Sequence, residues 1–396
     1  MKKLALVAAV GLALSGCGGS GDGGSSTPQP VVKPSAAIGT VESVNDEAST
    51  ITVNGYTYRV SEVMYGTQKM NLGAVHPNMM VQVGSTVKAA SNTTDEPVVV
   101  TLEPTMTGTV TAIDHASKTF TVNGVELQFD GLSNEIELND WVMVSSLPTA
   151  DAGYKVLSVV KFDFDINGPD EIEGRISSID ANNSTFKLGA NTTVSYNRVD
   201  GLEVGQWVEA EGSMQGDVFV ATEVEVENYD SLVGDNDVEG IVTWVANDYS
   251  QFSLNYRGNF AVDNTTRFED GTKADLKQGQ EVEVTSEMKN GVRTAINIEI
   301  DGPDFDGDHD SNWQGKEFEC EGIVSNYDVN AETFQVARCE NDADQVMANN
   351  TVVIDAQTRF EGLNKHNLNG TRVEVEGVII NNQNIAREVE AEGHDD

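Results

Sequence analysis

The sequence is poor in cations, histidine and cysteine, and these shortages exclude several kinds of function. Its 396 residues contain 24 Lys plus Arg against 64 Asp plus Glu, five histidines and three cysteines, for a formal net charge of −40. Phosphate binding needs clustered cations, so this charge argues against a nucleic-acid partner and against adhesion of the folded part to anionic lipids. Hydrophobic residues make up 39%, which is enough for packed cores.

Catalytic motifs are also missing. There is no Gly-x-Ser-x-Gly, no Walker-type loop and no His-Glu-x-x-His. The histidines fall at no common repeat position and predict neither a zinc site nor a catalytic triad; they are His76, His115, His309, His366 and His394. Acid–base carboxylates need a buried member with a raised pKa, whereas the glutamates here alternate with apolar residues and are predicted to face water. We therefore predict no enzyme activity.

The N-terminus predicts export and lipidation. Lys2 and Lys3 precede an apolar run at residues 4–14, which is too short for a permanent transmembrane helix and is typical of a signal peptide. The run ends in Leu-Ser-Gly-Cys, which resembles the lipobox of bacterial lipoproteins and makes Cys17 the predicted acylation site. Acyl chains there would anchor the protein to a membrane of the bacterial cell envelope. Gly18 replaces the Asp that retains enterobacterial lipoproteins in the inner membrane, so we expect the outer membrane.

The segment after Cys17 is predicted to be a flexible tether. Its first part is rich in Gly and Ser, and Pro28, Pro30 and Pro34 stiffen the rest. We expect the tether to hold the folded part off the membrane without fixing its orientation.

The remaining chain repeats itself five times. Each copy opens with Gly, an aliphatic residue two positions later and another apolar residue three positions after that. A second apolar–polar segment begins eleven residues after each opening glycine. These glycines lie 66 to 82 residues apart and are Gly39, Gly108, Gly174, Gly240 and Gly322. Such regularity predicts one structural unit in five copies.

Each copy is predicted to be a small β-barrel without a substantial helix. Thr-Phe-Thr-Val at 119–122 alternates with period two, and Asn54-Gly55 and Asn123-Gly124 are typical of tight hairpin turns. The apolar spacing of three after the opening glycine indicates an extra residue, and hence a β-bulge that curls the sheet. About five strands in roughly 55–65 residues favour an OB-like or SH3-like barrel. Acidic linkers between the copies predict independent barrels, arranged like beads.

The predicted fold class is therefore all-β, with five tandem barrels. The predicted divisions are a signal peptide at 1–16, the lipidated cysteine and flexible linker at 17–37, and β-repeats at 38–104, 107–162, 172–228, 238–301 and 319–392.

These motifs resemble the DUF5666 family of bacterial repeat domains, which occurs in secreted proteins and lipoproteins. The resemblance rests on Gly-x-Val-x-x-Ile, the Thr-Phe-Thr-Val strand, Val-Gly-x-x-Val-Glu-Ala-Glu-Gly at 204–212 and an Ala-x-x-Val-Glu ending. It covers most of residues 38–392, although the first two copies lack the Glu alternation in the fourth strand. The resemblance implies the repeat fold and implies no activity.

Cys320 and Cys339 are predicted to form a disulfide. Acylation consumes Cys17, which leaves an even pair of cysteines in an oxidising compartment. If the first hairpin of the fifth copy turns near Asn330, the two cysteines lie roughly opposite each other on adjacent strands. Two free or metal-binding thiols are the alternative.

Closely spaced aspartates in two linkers make calcium a candidate ligand. Residues 163–168 read Asp-Phe-Asp-Ile-Asn-Gly, like the opening of an EF-hand loop, but Gly174 stands where the closing Glu belongs. Residues 304–310 carry four aspartates at alternate positions. A solvated acidic linker is the alternative. The candidate ligands are Asp163, Asp165, Asn167, Asp304, Asp306, Asp308 and Asp310.

Residues 263–269 and 355–361 share the pattern Asp-x-x-Thr-Arg-Phe-Glu. The pattern fits either a repeated ligand site or a structural unit in which Phe closes the barrel end and Arg pairs with an acid. Taken together, the sequence predicts a non-catalytic, envelope-anchored binding or scaffold protein whose ligand is an envelope protein or a glycan. The alternative is a secreted hydrolase or hydrolase accessory with a carbohydrate-type site between adjacent barrels, which a shared pocket lined by inward carboxylates would favour.

Overall fold

The chain folds almost entirely into β-strands. The computed structural model describes residues 33–85, 97–162, 169–229, 232, 235–300, 317–341 and 345–391. In these ranges the structure contains strands and three single turns of 3-10 helix, which confirms the predicted all-β class. Within the same ranges, no helix is long and apolar enough to cross a membrane.

The first three repeats contain sixteen strands. Repeat 1 consists of β1 (Ala36–Asn45), β2 (Thr50–Val53), β3 (Tyr56–Tyr65), β4 (Gln68–Met70), β5 (Met80–Ser85) and β6 (Val98–Leu102), with a 3-10 turn at Leu72–Ala74. Repeat 2 consists of β7 (Met106–Asp114), β8 (Thr119–Val122), β9 (Val125–Gln128), β10 (Trp141–Pro148) and β11 (Tyr154–Lys161). Repeat 3 consists of β12 (Asp170–Asp180), β13 (Thr185–Leu188), β14 (Thr192–Ser195), β15 (Trp207–Gln215) and β16 (Val218–Val226).

The last two repeats contain fourteen strands. Repeat 4 consists of β17 (Asn236–Val245), β18 (Gln251–Leu254), β19 (Gly258–Ala261), β20 (Arg267–Glu269), β21 (Glu281–Lys289) and β22 (Val292–Ile300), with a turn at Lys273–Asp275. Repeat 5 consists of β23 (Glu317–Ile323), β24 (Ser325–Asp328), β25 (Thr333–Gln335), β26 (Arg338–Asn341), β27 (Thr351–Val353), β28 (Arg359–Glu361), β29 (Arg372–Ile380) and β30 (Gln383–Ala391), with a turn at Lys365–Asn367.

Four repeats close as five-stranded barrels of one topology. In repeat 3 the pairing runs β12–β13–β14–β16–β15 and returns to β12, and only β14 and β16 run parallel. Repeats 1 and 4 follow the same order, and so does repeat 5, whose first strand is split into β23 and β24. This order is that of the Greek-key OB barrel, which decides between the two predicted barrel types. In repeat 2, no pairing among the described residues joins β9 to β11, so that barrel is partly open.

The predicted bulge is present in every repeat. The ladder between the first two strands shifts register two to six residues after the opening glycine, for example between Val41 and Ser43 and between Val242 and Trp244. The corresponding shifts in the other repeats confirm that the spacing of three encodes a bend.

The opening glycine is required by a buried asparagine at the tip of the first hairpin. Asn54, Asn123 and Asn255 adopt positive φ, as the predicted tight turns need. Each lies directly against the opening glycine of its repeat, and a Cβ on Gly39 would be 1.8 Å from Asn54 Oδ1. The glycine therefore makes room for a side chain that satisfies buried polar groups.

Replacing Gly39 with Ala is expected to lower the free energy of unfolding by about 2 kcal/mol, since the new methyl group displaces Asn54 from its hydrogen bonds. Gly84→Ala is the matched control, because a Cβ at Gly84 in the same barrel meets no atom within 4 Å. Urea denaturation of both variants measures the difference. Equal midpoints for the two variants would show that the asparagine contact does not constrain the glycine.

The prediction of independent, bead-like barrels is wrong. The start of β1 pairs in parallel with the start of β17, so repeats 1 and 4 share a sheet, and β7 pairs with β12, so repeats 2 and 3 share another. Residues 34–396 form one compact unit. The physical reason is that the first strand of these repeats extends beyond its own barrel and offers unpaired backbone to a neighbour.

Apolar side chains strengthen the contacts between repeats. Repeats 2 and 3 contribute to one continuous core. A further cluster takes side chains from four repeats, with Trp207 and Tyr256 stacked at a centroid distance of 6.0 Å. Tyr256 lies in a hairpin turn at φ 57° and donates its hydroxyl to the carbonyl oxygen of Ala150 in repeat 2. The hairpin tips thus act as inter-repeat anchors.

Candidate functional site

The residues predicted for lipidation and calcium cannot be placed. Cys17 and the seven candidate calcium ligands lie outside the described residues, so both remain predictions; the ligands are Asp163, Asp165, Asn167, Asp304, Asp306, Asp308 and Asp310. The disulfide is present. Cys320 in β23 lies directly opposite Cys339 in β26, and both are buried in the core of repeat 5.

The histidines form no site in the part of the chain that the structure describes. His76 and His366 are exposed, and His115 is half-buried. None of the three belongs to a group of three or more candidate metal-binding side chains there. His309 and His394 lie outside the described ranges.

Rows of glutamates cross the outer face of repeats 3, 4 and 5. The register of strands one, four and five places carboxylates directly opposite one another, and we call each such row a glutamate ladder. Like charges directly opposite on a sheet destabilise it, so a repeated ladder calls for a counter-charge or for protons. The ladders are Glu171–Glu211–Glu223 and Glu173–Glu209–Glu225 in repeat 3, Glu239–Glu283–Glu299 in repeat 4, and Glu319–Glu376–Glu388 and Glu321–Glu374–Glu390 in repeat 5.

The ladders of repeat 3 lie partly inside the assembly, contrary to the prediction that all strand glutamates face water. Glu171 and Glu173 are 6% and 3% exposed. Burial, reinforced by the charge of Glu209, raises the pKa of Glu171 well above its ordinary value. Burial, followed by the charge of Glu173, raises the pKa of Glu209 and of nearby Glu103 to about 8.

Side chains from two other repeats meet the ladders of repeat 3. Arg257 lies in a hairpin turn of repeat 4, and its Nη2 is 2.5 Å from Glu173 Oε2. The indole Nε1 of Trp207 donates to the same oxygen at 3.0 Å. From repeat 1, the hydroxyl of Tyr65 donates to Glu171 Oε2 at 3.0 Å. The arrangement shows how a guanidinium from a turn docks on a ladder.

The carboxylates could also approach a cation. Oxygens of Glu171, Glu173 and Glu209 lie within 4.8 Å of one another. Three ligands are fewer than the six to eight that Ca²⁺ takes, and Arg257 already supplies a positive charge to Glu173. We therefore assign no metal to this group.

A small cavity opens beside the cluster. Its volume is about 60 Å³, and Glu103, Glu227 and Arg257 are among the side chains that line it. Inward carboxylates therefore do line a shared pocket, but organic ligands occupy pockets of roughly 300–1,000 Å³. The cavity has room for a few water molecules or an ion and is too small for a sugar chain.

A second polar centre joins repeats 3 and 5. Asp355, which follows β27, accepts hydrogen bonds from Arg387 Nη1 at 3.0 and 3.1 Å and is also bonded to Arg175 Nη2. All three side chains are at most 3% exposed. The two guanidiniums hold the pKa of Asp355 below its ordinary value, although burial alone would raise it.

The duplicated Asp-x-x-Thr-Arg-Phe-Glu motif is structural in both copies. Phe268 and Phe360 pack against the cores of repeats 4 and 5, and Arg359 pairs with Glu361 and Glu388. The first residue differs in role, since Asp355 is buried between repeats while Asp263 is bonded locally to Thr265.

The ladders and the second polar centre were not predicted from the sequence. A signal for the ladders is present, because an acid lies one and three positions before the opening glycine in repeats 3, 4 and 5, as in Glu171-Ile172-Glu173-Gly174. Together with Val-Glu alternation in the fourth and fifth strands, this pattern places carboxylates side by side in an antiparallel sheet.

Comparison with solved structures finds a chain described as drosophila Unr CSD456. It is 16% identical, and the match covers 51% of this chain and 99% of that chain, with a TM-score of 0.14. At that TM-score the likeness carries no information on fold or function. No curated protein matches the sequence.

Five segments match one protein family, and together they cover most of the chain. The family is described as Domain of unknown function (DUF5666), and the matches are to residues 38–94, 107–154, 170–225, 239–299 and 321–390. Each match falls on one of the five repeats and covers most of its strands. The chain therefore belongs to the DUF5666 family, with five tandem copies of its domain.

Proposed function

We propose that this protein is a non-catalytic, lipid-anchored binding scaffold of the bacterial cell envelope, and that it binds a basic protein segment through the glutamate ladders of repeat 5. The docking of Arg257 on the homologous ladder of repeat 3 is the observation that carries the proposal. It supplies, within one molecule, an example of the chemistry that these ladders accept.

The ladders of repeat 5 contain no buried glutamate, whereas Glu171, Glu173 and Glu239 are buried in the ladders of repeats 3 and 4. Glu319 and Glu321 are exposed, and Glu374 and Glu390 are half-buried. The net charge of −40 adds a long-range field that attracts a cationic partner. Because these glutamates lie on hydrogen-bonded strands of one sheet, their backbone is already ordered, which reduces the entropy lost on binding.

The binding proposal is tested by titrating a hexa-arginine peptide into the purified full-length protein. Removing three charges by Glu319→Gln, Glu374→Gln and Glu390→Gln together should weaken binding about tenfold. The matched control replaces Glu126, Glu135 and Glu137, which are exposed in repeat 2 and belong to no ladder. Equal loss in both triple variants would mean that only the overall charge attracts the peptide.

The anchoring part of the proposal gives a separate prediction. Cys17→Ser removes the acylation site and should move the protein from the membrane fraction to the soluble fraction, since the acidic chain has no attraction to anionic lipid. Cell fractionation of the variant beside the wild-type protein makes the measurement. A variant that still sediments with membranes would exclude Cys17 as the anchor.

A further inference from the structure

The ion-pair centre of Arg175, Asp355 and Arg387 carries a formal excess of one positive charge in a place that water hardly reaches. The side chains of Arg175, Asp355 and Arg387 are 3%, 0% and 1% exposed. The ring of Tyr256 lies 5.9 Å from Arg175 Cζ. Gly205, at φ 96°, lets repeat 3 approach Asp355 closely, because a Cβ there would be 2.5 Å from the carboxyl carbon. A buried charge without compensation is strongly destabilising, so the centre calls for an anion.

Unmet hydrogen-bonding groups show where that anion would bind. Among the described residues, Arg387 Nε, Arg387 Nη2 and Arg175 Nε are buried donors without an acceptor. The Nε–H and Nη2–H bonds lie on one edge of the planar guanidinium and point the same way. Gln357 Oε1 is a buried acceptor without a donor in the same network. The unpaired groups are thus three donors and one acceptor. This ratio favours a ligand that only accepts hydrogen bonds; a water molecule, which also donates them, fits less well.

We propose that the Nε and Nη2 edge of Arg387 binds a small inorganic anion the size of chloride at the junction of repeats 3 and 5. The anion neutralises the second guanidinium and gives its donors an acceptor. Because the three side chains are almost fully buried, the site suits a small ion better than a large or strongly hydrated one. Bound chloride would therefore help to hold repeat 5 against repeat 3.

The test follows the thermal unfolding of the purified full-length protein at constant ionic strength while sodium gluconate is replaced by sodium chloride. Gluconate is too large for a buried site. A ligand that binds only the folded state raises the midpoint, and we expect a rise of about 3 °C between 1 and 200 mM chloride. An unchanged midpoint across the series would overturn the proposal.

Two variants separate this site from general salt effects. Arg387→Met removes the binding edge and leaves Arg175 and Asp355 as a one-to-one pair, so its midpoint should not respond to chloride. Arg293→Met also removes a buried arginine, one that donates to the carbonyl oxygens of Tyr229 and Leu232, and it should keep the chloride response. A chloride response that survives in Arg387→Met would place the anion elsewhere and contradict the proposal.

A crystallographic measurement keeps the proposal testable if Arg387→Met does not fold. Wild-type crystals soaked in sodium bromide should show an anomalous peak within roughly 3.5 Å of Arg387 Nε and Nη2. Density at that place without an anomalous peak would identify the guest as water and overturn the proposal.

Discussion

Asp355→Asn is expected to lower the free energy of unfolding by about 3–5 kcal/mol. Asp355 is the only carboxylate bonded to both Arg175 and Arg387 in the described part of the chain, and all three side chains are buried. Asparagine keeps the size of the side chain and one acceptor oxygen but removes the negative charge. The carboxylate charge that both buried guanidiniums share would then be lost, which costs far more than the loss of one hydrogen bond.

The duplicated motif supplies a matched control for this prediction. Asp263 holds the same position in repeat 4, where it bonds to Thr265, Thr266 and Lys289 at the surface. Asp263→Asn is therefore expected to change stability little. Chemical denaturation of both variants, with intrinsic fluorescence of the tryptophans as the signal, gives the comparison. A loss of equal size in the two variants would show that the buried charges of Arg175 and Arg387 are compensated in another way.

Local features of the fold could be predicted from the sequence because their causes are local. The bulge after each opening glycine follows from an apolar spacing within six residues, and the turns at Asn54 and Asn123 follow from a dipeptide. The disulfide between Cys320 and Cys339 followed from the count of cysteines and from one hairpin. In each case the interacting residues are close in sequence, so the pattern itself carries the information.

The contacts between repeats could not be predicted in this way. Asn54 donates to Asp237 across 183 residues, and Arg175 reaches Asp355 across 180. Alternation along a strand shows which side chains share a face, but it does not show whether another barrel covers that face. Glu173 and Glu223 therefore look alike in sequence, although the first is buried and the second is exposed.

One sequence signal does mark the second polar centre. In the last strand of repeat 4 the residue after Ala295 is Ile296, whereas in repeat 5 the residue after Ala386 is Arg387. An arginine at a position that is aliphatic in a sister repeat indicates a buried or interfacial role. The carboxylate and the second guanidinium still come from distant segments, so the partners of Arg387 stay hidden until the fold is known.

The folded protein is expected to lose stability as the pH rises from about 5 to about 8, because of the glutamates at the junction of repeats 1, 3 and 4. Their pKa values are raised on folding, chiefly by burial and then by neighbouring carboxylates, and for Glu103 and Glu209 they reach about 8 from an ordinary 4.5. Groups of this kind bind more protons in the folded state than in the unfolded state. Their stabilising effect is complete below their ordinary pKa and is lost as the pH rises through the raised value.

Between pH 5 and pH 8 the free energy of unfolding is expected to fall by about 2 kcal/mol for each of Glu103 and Glu209. This is less than the full pKa shift implies, because both side chains are half-buried and water screens their charges. The charges that face them set the balance: Glu171, Glu173 and Glu227 oppose ionisation, and Arg257 favours it. Asp355 acts in the opposite direction, since its pKa is lowered and its contribution is lost only in stronger acid. Measurements above pH 5 therefore exclude the contribution of Asp355. Burial also raises the pKa of Glu376 and of Glu388 in repeat 5 to about 7, so a variant at Glu209 is needed to separate the junction from repeat 5.

Glu209→Gln should make the protein more stable than wild type at pH 8 and equal to it near pH 5, because glutamine resembles the protonated carboxyl and cannot ionise. Between pH 5 and pH 8 the variant should therefore lose about 2 kcal/mol less of its free energy of unfolding than wild type does. The control is Glu126→Gln, which removes an exposed strand glutamate of repeat 2 and should leave the pH dependence of wild type. Urea denaturation at pH 5, 6.5 and 8 for the three proteins decides the matter. Parallel pH profiles for wild type and Glu209→Gln would contradict this prediction. They would mean that Glu209 is ionised in the folded protein at all three pH values, because Arg257 or solvent stabilises its charge despite the burial.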